Sequence, residues 1–431
     1  MNNEREFKNL PEGWKWVRLG EVLKFLKGKT PRKLYDYEEE GMTIYLTPEY
    51  LRKNKCDVAF CKKEETLLAN EDIIILWDGS NAGEVFWAEK GAVASTMAKI
   101  DINSSDYPIY KKFLYYHLKS NEFAFKYQVK GSGIPHFEKD ILNTLNSIFP
   151  PLPEQQKIAE ILETIDNAIE KTDKIIEKYK RIKQGLMQDL LTKGIDENGN
   201  IRDEKTHKFK DSPLGKIPEE WEVVRLGEVG KIITGSTPPT ENSEYYGDEY
   251  LFVSPEDIQD KKYIENTTKK LTKLGMNIQR KISPMSICVV CIGSTIGKIA
   301  ITKYVCSTNQ QINTIIPNLK LYDPEALYYF INFHIQFPLK ILAGLQAVPI
   351  VKKSAFSNIL IPLPPLPEQQ RIAEILSQID QTIEKEEYYK EKLQKIKQGL
   401  MQDLLTGKVR VNHLVEEKEN EQRYKSNLTR T

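Results

Sequence analysis

Two short segments set small polar side chains beside glycines: Asp78-Gly79-Ser80-Asn81-Ala82-Gly83 and Ile292-Gly293-Ser294-Thr295-Ile296-Gly297-Lys298. Their glycines match at a spacing of 214 residues. Glycine lets a backbone turn tightly and approach a ligand closely. Hydroxyls, carboxamides and main-chain N–H groups placed there can reach phosphates and base edges. Near the first segment, Lys27, Lys29, Thr30, Arg32 and Lys33 flank Gly28, while Ser132 and His136 lie in Gly131-Ser132-Gly133-Ile134-Pro135-His136. With the second go Ser236 and Thr237, Gln310 in Asn309-Gln310-Gln311, then Gln346, Lys352 and Lys353. Carboxamides such as Gln310 suit adenine. Taken singly each is an ordinary turn; taken together they form a candidate DNA-binding set of Lys27, Lys29, Thr30, Arg32, Lys33, Ser80, Asn81, Ser132, His136, Ser236, Thr237, Ser294, Thr295, Lys298, Gln310, Gln346 and Lys352.

Bond-making chemistry has no such constellation. The chain has no GxxxxGK[ST] loop, no GxGxxG after a strand, and no Asn/Asp-Pro-Pro-aromatic tetrapeptide; Thr237-Pro238-Pro239-Thr240 lacks both the amide and the aromatic ring. His117, His136, His207, His334 and His413 are too scattered to suggest a metal cluster or a triad. Cys288-Val289-Val290-Cys291 has metal-ligand spacing, but its apolar, β-branched setting reads as core. No catalytic or metal residue is assigned. A single-chain restriction enzyme or methyltransferase with a centre hidden in the loops remains the alternative, and a scaffold whose globular parts bind protein is a third.

The elements that would position the loops are duplicated. Pro150-Pro151-Leu152-Pro153-Glu154-Gln155-Gln156 recurs as Pro364-Pro365-Leu366-Pro367-Glu368-Gln369-Gln370, and Gln184-Gly185-Leu186-Met187-Gln188-Asp189 as Gln398-Gly399-Leu400-Met401-Gln402-Asp403. Between these ends each copy reads as one long helix, opened by proline and by a glutamate suited to the positive end of the dipole. The first seam is Ile158, Ile161, Ile165, Ala168, Thr172, Ile175, Tyr179, Ile182 and Leu186, with Leu162, Ile169 and Ile176 widening one flank. The second is Ile372, Ile375, Ile379, Thr382, Glu386, Tyr389, Leu393, Ile396 and Leu400. Apolar residues at steps of three and four over roughly four heptads predict a coiled coil. Full-length antiparallel pairing would join residues whose numbers sum to 558, as Ile158 with Leu400.

The globular parts repeat as well. Pro11-Glu12-Gly13-Trp14 and Val17 to Val22 match Pro218-Glu219-Glu220-Trp221 and Val224 to Val229 at an offset of 207. Framework residues agree while those between them differ. Ile73–Trp77 and Ser286–Val290 read as buried strands, and Tyr110–Tyr127 and Pro324–Ile335 as aromatic-rich helices, giving an α+β class. The expected division is a globular copy over 1–150, a helix over 151–193, a polar, turn-rich linker over 194–216, a second copy over 217–363, a second helix over 364–411, and a charged, disordered tail over 412–431. The near-neutral charge of +1 over 431 residues neither requires nor excludes nucleic acid. The absence of a long apolar run and of a signal-like start, with an odd cysteine count, predicts a cytoplasmic protein with reduced thiols.

The order of globular copy, PLPEQQ helix ending KQGLMQDLLT, second copy and second helix resembles the specificity subunit of type I restriction-modification enzymes, over residues 10–411. The resemblance implies two target recognition domains, each reading half of a bipartite site in double-stranded DNA, and an antiparallel coiled coil with a pseudo-twofold internal repeat. The helices would set the spacer and bind two modification subunits. It also implies that this chain is non-catalytic and binds no cofactor. S-adenosylmethionine, ATP and Mg²⁺ would serve the modification subunits and, in the full complex, the restriction subunits. Individual base contacts do not carry over, because recognition domains differ where bases are read.

Overall fold

A computed structural model describes residues 10–52, 58–103, 107–128, 136–138, 141, 146–259, 261–344 and 348–415. Ser132, Gln346 and the tail from Glu416 lie outside them. The chain forms two compact units, 1–173 with 388–431 and 174–387. Each long helix therefore contributes to both.

In the first unit a six-stranded sheet has the order β2-β7-β5-β6-β3-β4. Its strands are β2 (Leu23–Lys27), β3 (Met42–Leu46), β4 (Phe60–Lys62), β5 (Leu68–Leu76), β6 (Val85–Val93) and β7 (Met97–Ile102). The expected strand at Ile73–Trp77 is the second half of β5, buried on both faces. Ile73 and Ile75 pack towards the helices, with Phe113 and Phe149, whereas Ile74 and Leu76 enter a second cluster with Phe86 and Met97. A continuous apolar run is what such two-sided burial requires. The expected helix over Tyr110–Tyr127 is two helices, α1 (Lys111–Ser120) and α2 (Glu122–Gln128), separated at Asn121. The Asn121 amide Nδ2 donates to the His117 carbonyl at 2.8 Å, competing for a helix-end acceptor. A separate ribbon pairs β1 (Lys15–Arg18) antiparallel with β8 (Asn146–Phe149). It ties the start of the globular copy to its end, just before the long helix α3 (Leu152–Leu190).

The second unit repeats the plan. Its main sheet has the order β12-β19-β16-β17-β14, from β12 (Gly230–Thr234), β14 (Tyr263–Ile264), β16 (Ile287–Val290), β17 (Ile299–Thr302) and β19 (Ile312–Pro317). The ribbon equivalent to β1/β8 pairs β11 (Glu222–Arg225) with β20 (Leu360–Leu363). Where copy one keeps β6 whole, copy two breaks it into β17 and β18 (Cys306–Thr308), and β18 joins β13 (Tyr246–Val253) and β15 (Lys269–Leu271) in a three-stranded sheet. Helices α4 (Pro324–His334) and α5 (Gln336–Ala343) precede the second long helix, α6 (Leu366–Leu404). Cys288 and Cys291 belong to different cores, so the CxxC spacing cannot serve one metal. Burial pushes their thiols up to about 12 and about 11.

The stretch 194–216, expected as a linker, is turn-rich but folded into the second unit. Ile195 is buried, β9 (Phe209–Ser212) pairs with β10 (Gly215–Pro218), and the Arg202 guanidinium grips buried Glu368.

The two long helices pair antiparallel within each unit. Asp166 and Asp173 of α3 meet Lys397 and Lys390 of α6, both at 2.6 Å, in the first unit. In the second, Lys180 and Lys183 meet Glu387 and Asp380. Two features of the expected seam are corrected. The numbers of Asp166 and Lys397, and of Lys183 and Asp380, sum to 563 rather than 558, a slip of about one helical turn. One of its two rows is also shifted by one residue: Leu162 and Ile176 are buried, whereas Ile175 and Ile182 are exposed, while Ile158 and Thr172 of the other expected row are buried. In α6 the same holds: Leu376 and Ile383 are buried and Tyr389 and Ile396 exposed, while Ile372 and Leu393 of the other expected row are buried. The flank taken as a widening is one row of the seam, and the row of Ile158 and Thr172 is the other.

Candidate nucleic-acid interface

The duplicated PEQQ motif builds the base of each unit. Glu154 accepts from the Trp14 indole at 3.2 Å and from the Arg410 guanidinium at 2.8 and 2.9 Å. Glu368 does the same for Trp221 at 3.3 Å and for Arg202. The next residue ties the helix start to the globular copy. Gln155 donates to the Pro150 carbonyl and accepts from the Tyr110 amide at 2.8 Å, as Gln369 does with Pro364 and, at 3.0 Å, Asp323. About three turns further along each long helix, Tyr116 donates to Asp166 and Tyr329 to Asp380. These carboxylates also hold Lys397 and Lys183, so one residue joins globular helix, first long helix and second long helix. The globular loops thus rise from a repeated, fully bonded frame.

In copy one, β2 ends at Lys27 and turns sharply. A Cβ on Gly28 would lie 2.1 Å from the Ala94 carbonyl, so only glycine lets β2 pass there. Gly235 repeats the device, with Thr308 O at 2.1 Å. Lys27 Nζ reaches Asp78, which follows β5, at 3.0 Å. The other Asp78 oxygen meets His136 Nδ1 at 2.5 Å, and the Trp77 indole donates to His136 Nε2 at 3.0 Å. An indole N–H is only a donor, so Nε2 is bare and Nδ1 carries the proton to Asp78. Partial burial pushes the Asp78 carboxyl up, but His136 and Lys27 outweigh it and hold the acid below its ordinary value. His136 is therefore a latch with both ring nitrogens engaged. Ser80 and Asn81 are exposed at the hairpin between β5 and β6, and Lys29 and Thr30 are exposed beyond β2. Lys33 lies over the Tyr35 ring, whereas Arg32 is exposed and its main-chain N–H donates to Glu65.

In copy two, Thr237 donates to the exposed Gln310 carboxamide at 2.5 Å and Ser236 to Gln279 at 2.7 Å. Gln311 reaches the Ile292 carbonyl at 3.4 Å. Ser294 and Lys298 are exposed on the hairpin between β16 and β17, with Thr295 half-buried. Lys352 is exposed two residues past Ile350, which forms a bridge with Ile292. Each copy thus gathers part of its expected set around a strand end and a hairpin. Trp77 and Gln279 carry no local sequence signal as partners, whereas Gln311 lies in the carboxamide triplet that the sequence marks.

A family described as the type I restriction modification DNA specificity domain matches residues 11–180 and 218–397. The specificity subunit of the MjaVIII type I restriction enzyme of Methanocaldococcus jannaschii is 35% identical over 95% of this chain and 97% of its own length. That of the HindI enzyme of Haemophilus influenzae is 28% identical, covering 59% of this chain and 67% of its own. The crystal structure of a type I restriction-modification S subunit from M. genitalium superposes with a TM-score of 0.62 at 16% identity, over 91% of this chain and 96% of that one. The chain belongs to the family of type I restriction-modification specificity subunits. It is the DNA-specificity component, and catalysis belongs to partner subunits. Among the described residues no helix is long and apolar enough to cross a membrane.

Proposed function

We propose that each globular copy reads one half of a bipartite site in double-stranded DNA, and that the paired helices fix the spacer and carry two modification subunits. The observation that carries this reading is the repeat itself: one framework of ribbon, sheet, PEQQ clasp and Tyr–Asp–Lys tie is built twice, while side chains at matched loop positions differ. A scaffold that binds the same protein twice would not need different loops; a reader of two different half-sites would. The candidate contact residues, from Lys27 and Ser80 in copy one to Ser294, Gln310 and Lys352 in copy two, are proposed on the same ground. S-adenosylmethionine, ATP and Mg²⁺ then act on the partner subunits, and the assembly works in the cytoplasm. Exchanging residues 10–150 for those of another family member, with the modification subunits co-expressed, tests it. Methylome sequencing is expected to show one half of the modified site changed and the other kept. A change in both halves, or in neither, overturns the proposal.

A further inference from the structure

The bridge where each main sheet opens into its hairpin falls at matched positions. Asp78 bridges His136 in copy one and Ile292 bridges Ile350 in copy two, each pair offset by 214. The backbone is conserved between copies, yet the side chains change from charged to apolar. Lys27 stands beside Asp78, a donor and an acceptor 3.0 Å apart, the lysine exposed and the carboxylate half-buried. A paired G·C base pair shows the complement in the major groove: the guanine O6 acceptor lies next to the cytosine N4 donor, about one hydrogen bond length away. Asp78 keeps spare lone pairs and Lys27 spare N–H groups after their mutual contact. In copy two, Ile350 is 43% exposed, and the carboxamide of Gln310 stands where copy one has Thr96. An apolar surface and a carboxamide suit an A·T pair, the first meeting the thymine methyl and the second adenine N6 and N7.

Resting on the half-site reading above, we infer that this bridge sets base preference: Lys27 and Asp78 read a G·C pair in one half-site, and Ile292, Ile350 and Gln310 an A·T pair in the other. His136 is a positioning residue, turning Asp78 through its Nδ1–H.

The test uses the chain assembled with its modification subunits. Methylome sequencing first gives the site. The Lys27→Ala/Asp78→Ala variant is expected to lose about 10- to 100-fold discrimination at one G·C pair of one half-site, the other half staying as it was. Asp78→Asn keeps the volume and serves if the double variant fails to fold; it is expected to weaken the same base pair. For copy two, replacing each thymine of its half-site by deoxyuridine removes only the methyl. One position is expected to weaken binding about three- to fivefold in the native complex, and not at all in the Ile292→Ala/Ile350→Ala complex. Unchanged base preference in folded variants, a change in the wrong half-site, or indifference to every thymine methyl overturns the inference. If the exchange of residues 10–150 also leaves both halves unchanged, the half-site reading falls with it. If that exchange alters one half while these variants do not, only the present inference falls.

Discussion

Glu154 and Glu368 occupy the same position in the repeat, but their surroundings predict different costs. The Glu368 carboxylate and its Arg202 partner are both about nine-tenths buried, whereas the Arg410 side chain beside Glu154 is 26% exposed. Removing one partner of a buried pair strands the other charge, at about 3–5 kcal/mol, while a partly exposed arginine can turn to water. Glu368→Gln is therefore expected to destabilise the second unit by about 3 kcal/mol, and Glu154→Gln the first by roughly half as much. Urea unfolding of the two variants, with fluorescence of the neighbouring Trp221 and Trp14, ranks them; equal losses would show that the exposure of Arg410 does not matter. A second residue effect depends on pH. His117 is buried, with Nε2 on the Ser147 hydroxyl at 2.7 Å, and desolvation lowers its pKa from 6.5 to about 4. Between those values the unfolded chain takes up a proton that the folded chain refuses. Stability thus falls as pH drops from about 6.5 to about 4, by an amount on the order of 3 kcal/mol, and this contribution is constant below that. His334 is shifted the same way, by burial, in the second unit. The pH dependence of the thermal midpoint is expected to be shallower over this window in His117→Gln; an unchanged slope would exclude His117 as a source.

At the scale of elements, the long helices were legible as helices, as a pair and in one row of the seam, but not in the other row or in register. Apolar residues stand at 161 and 162, 168 and 169, and 175 and 176, so steps of three-then-four and four-then-three both fit. What decides is which side faces the other helix, and that depends on lysines such as Lys183 and Lys397 reaching carboxylates more than 190 residues away. Ile176→Ser is accordingly expected to cost about 2–3 kcal/mol, because the site is 6% exposed, and Ile175→Ser, at 40%, less than about 1 kcal/mol. Chemical denaturation of the two variants checks the phase, and the reverse order would restore the seam read from sequence. The stretch 194–216 reads as a linker for a related reason. Its composition is that of a loop, and nothing local announces that Arg202 will be buried against Glu368. Site loops were legible where glycines repeat, since Gly28 and Gly235 are forced by backbone contact. Lys27 and His136 were legible as candidates beside the Asp78 loop, but the bonds that join the three were not, since the members come from three separate segments.

For the whole molecule, the helices bear on how far apart two half-sites are read. Each has 39 residues in one unbroken element, about 58 Å at 1.5 Å per residue, and each contributes to both compact units. On the proposed reading, in which the helices set the spacer, that length corresponds to about 17 base pairs at 3.4 Å each. A heptad inserted in each helix adds about 10 Å, roughly three base pairs, and nearly keeps the direction of the seam. The observed register dictates where: seven residues after Ile176 in α3 require seven at the level of Glu386 in α6, because numbers near 563 pair. With both insertions the modified site is expected to keep its bases and gain about three base pairs of spacer. Two inserted residues rotate the seam by about 200° and are expected to abolish assembly. Methylome sequencing reads the first outcome, and co-purification with the modification subunits the second. If the heptad variant still modifies the original spacing, the helices do not measure it, and the DNA must bend to meet the recognition loops instead.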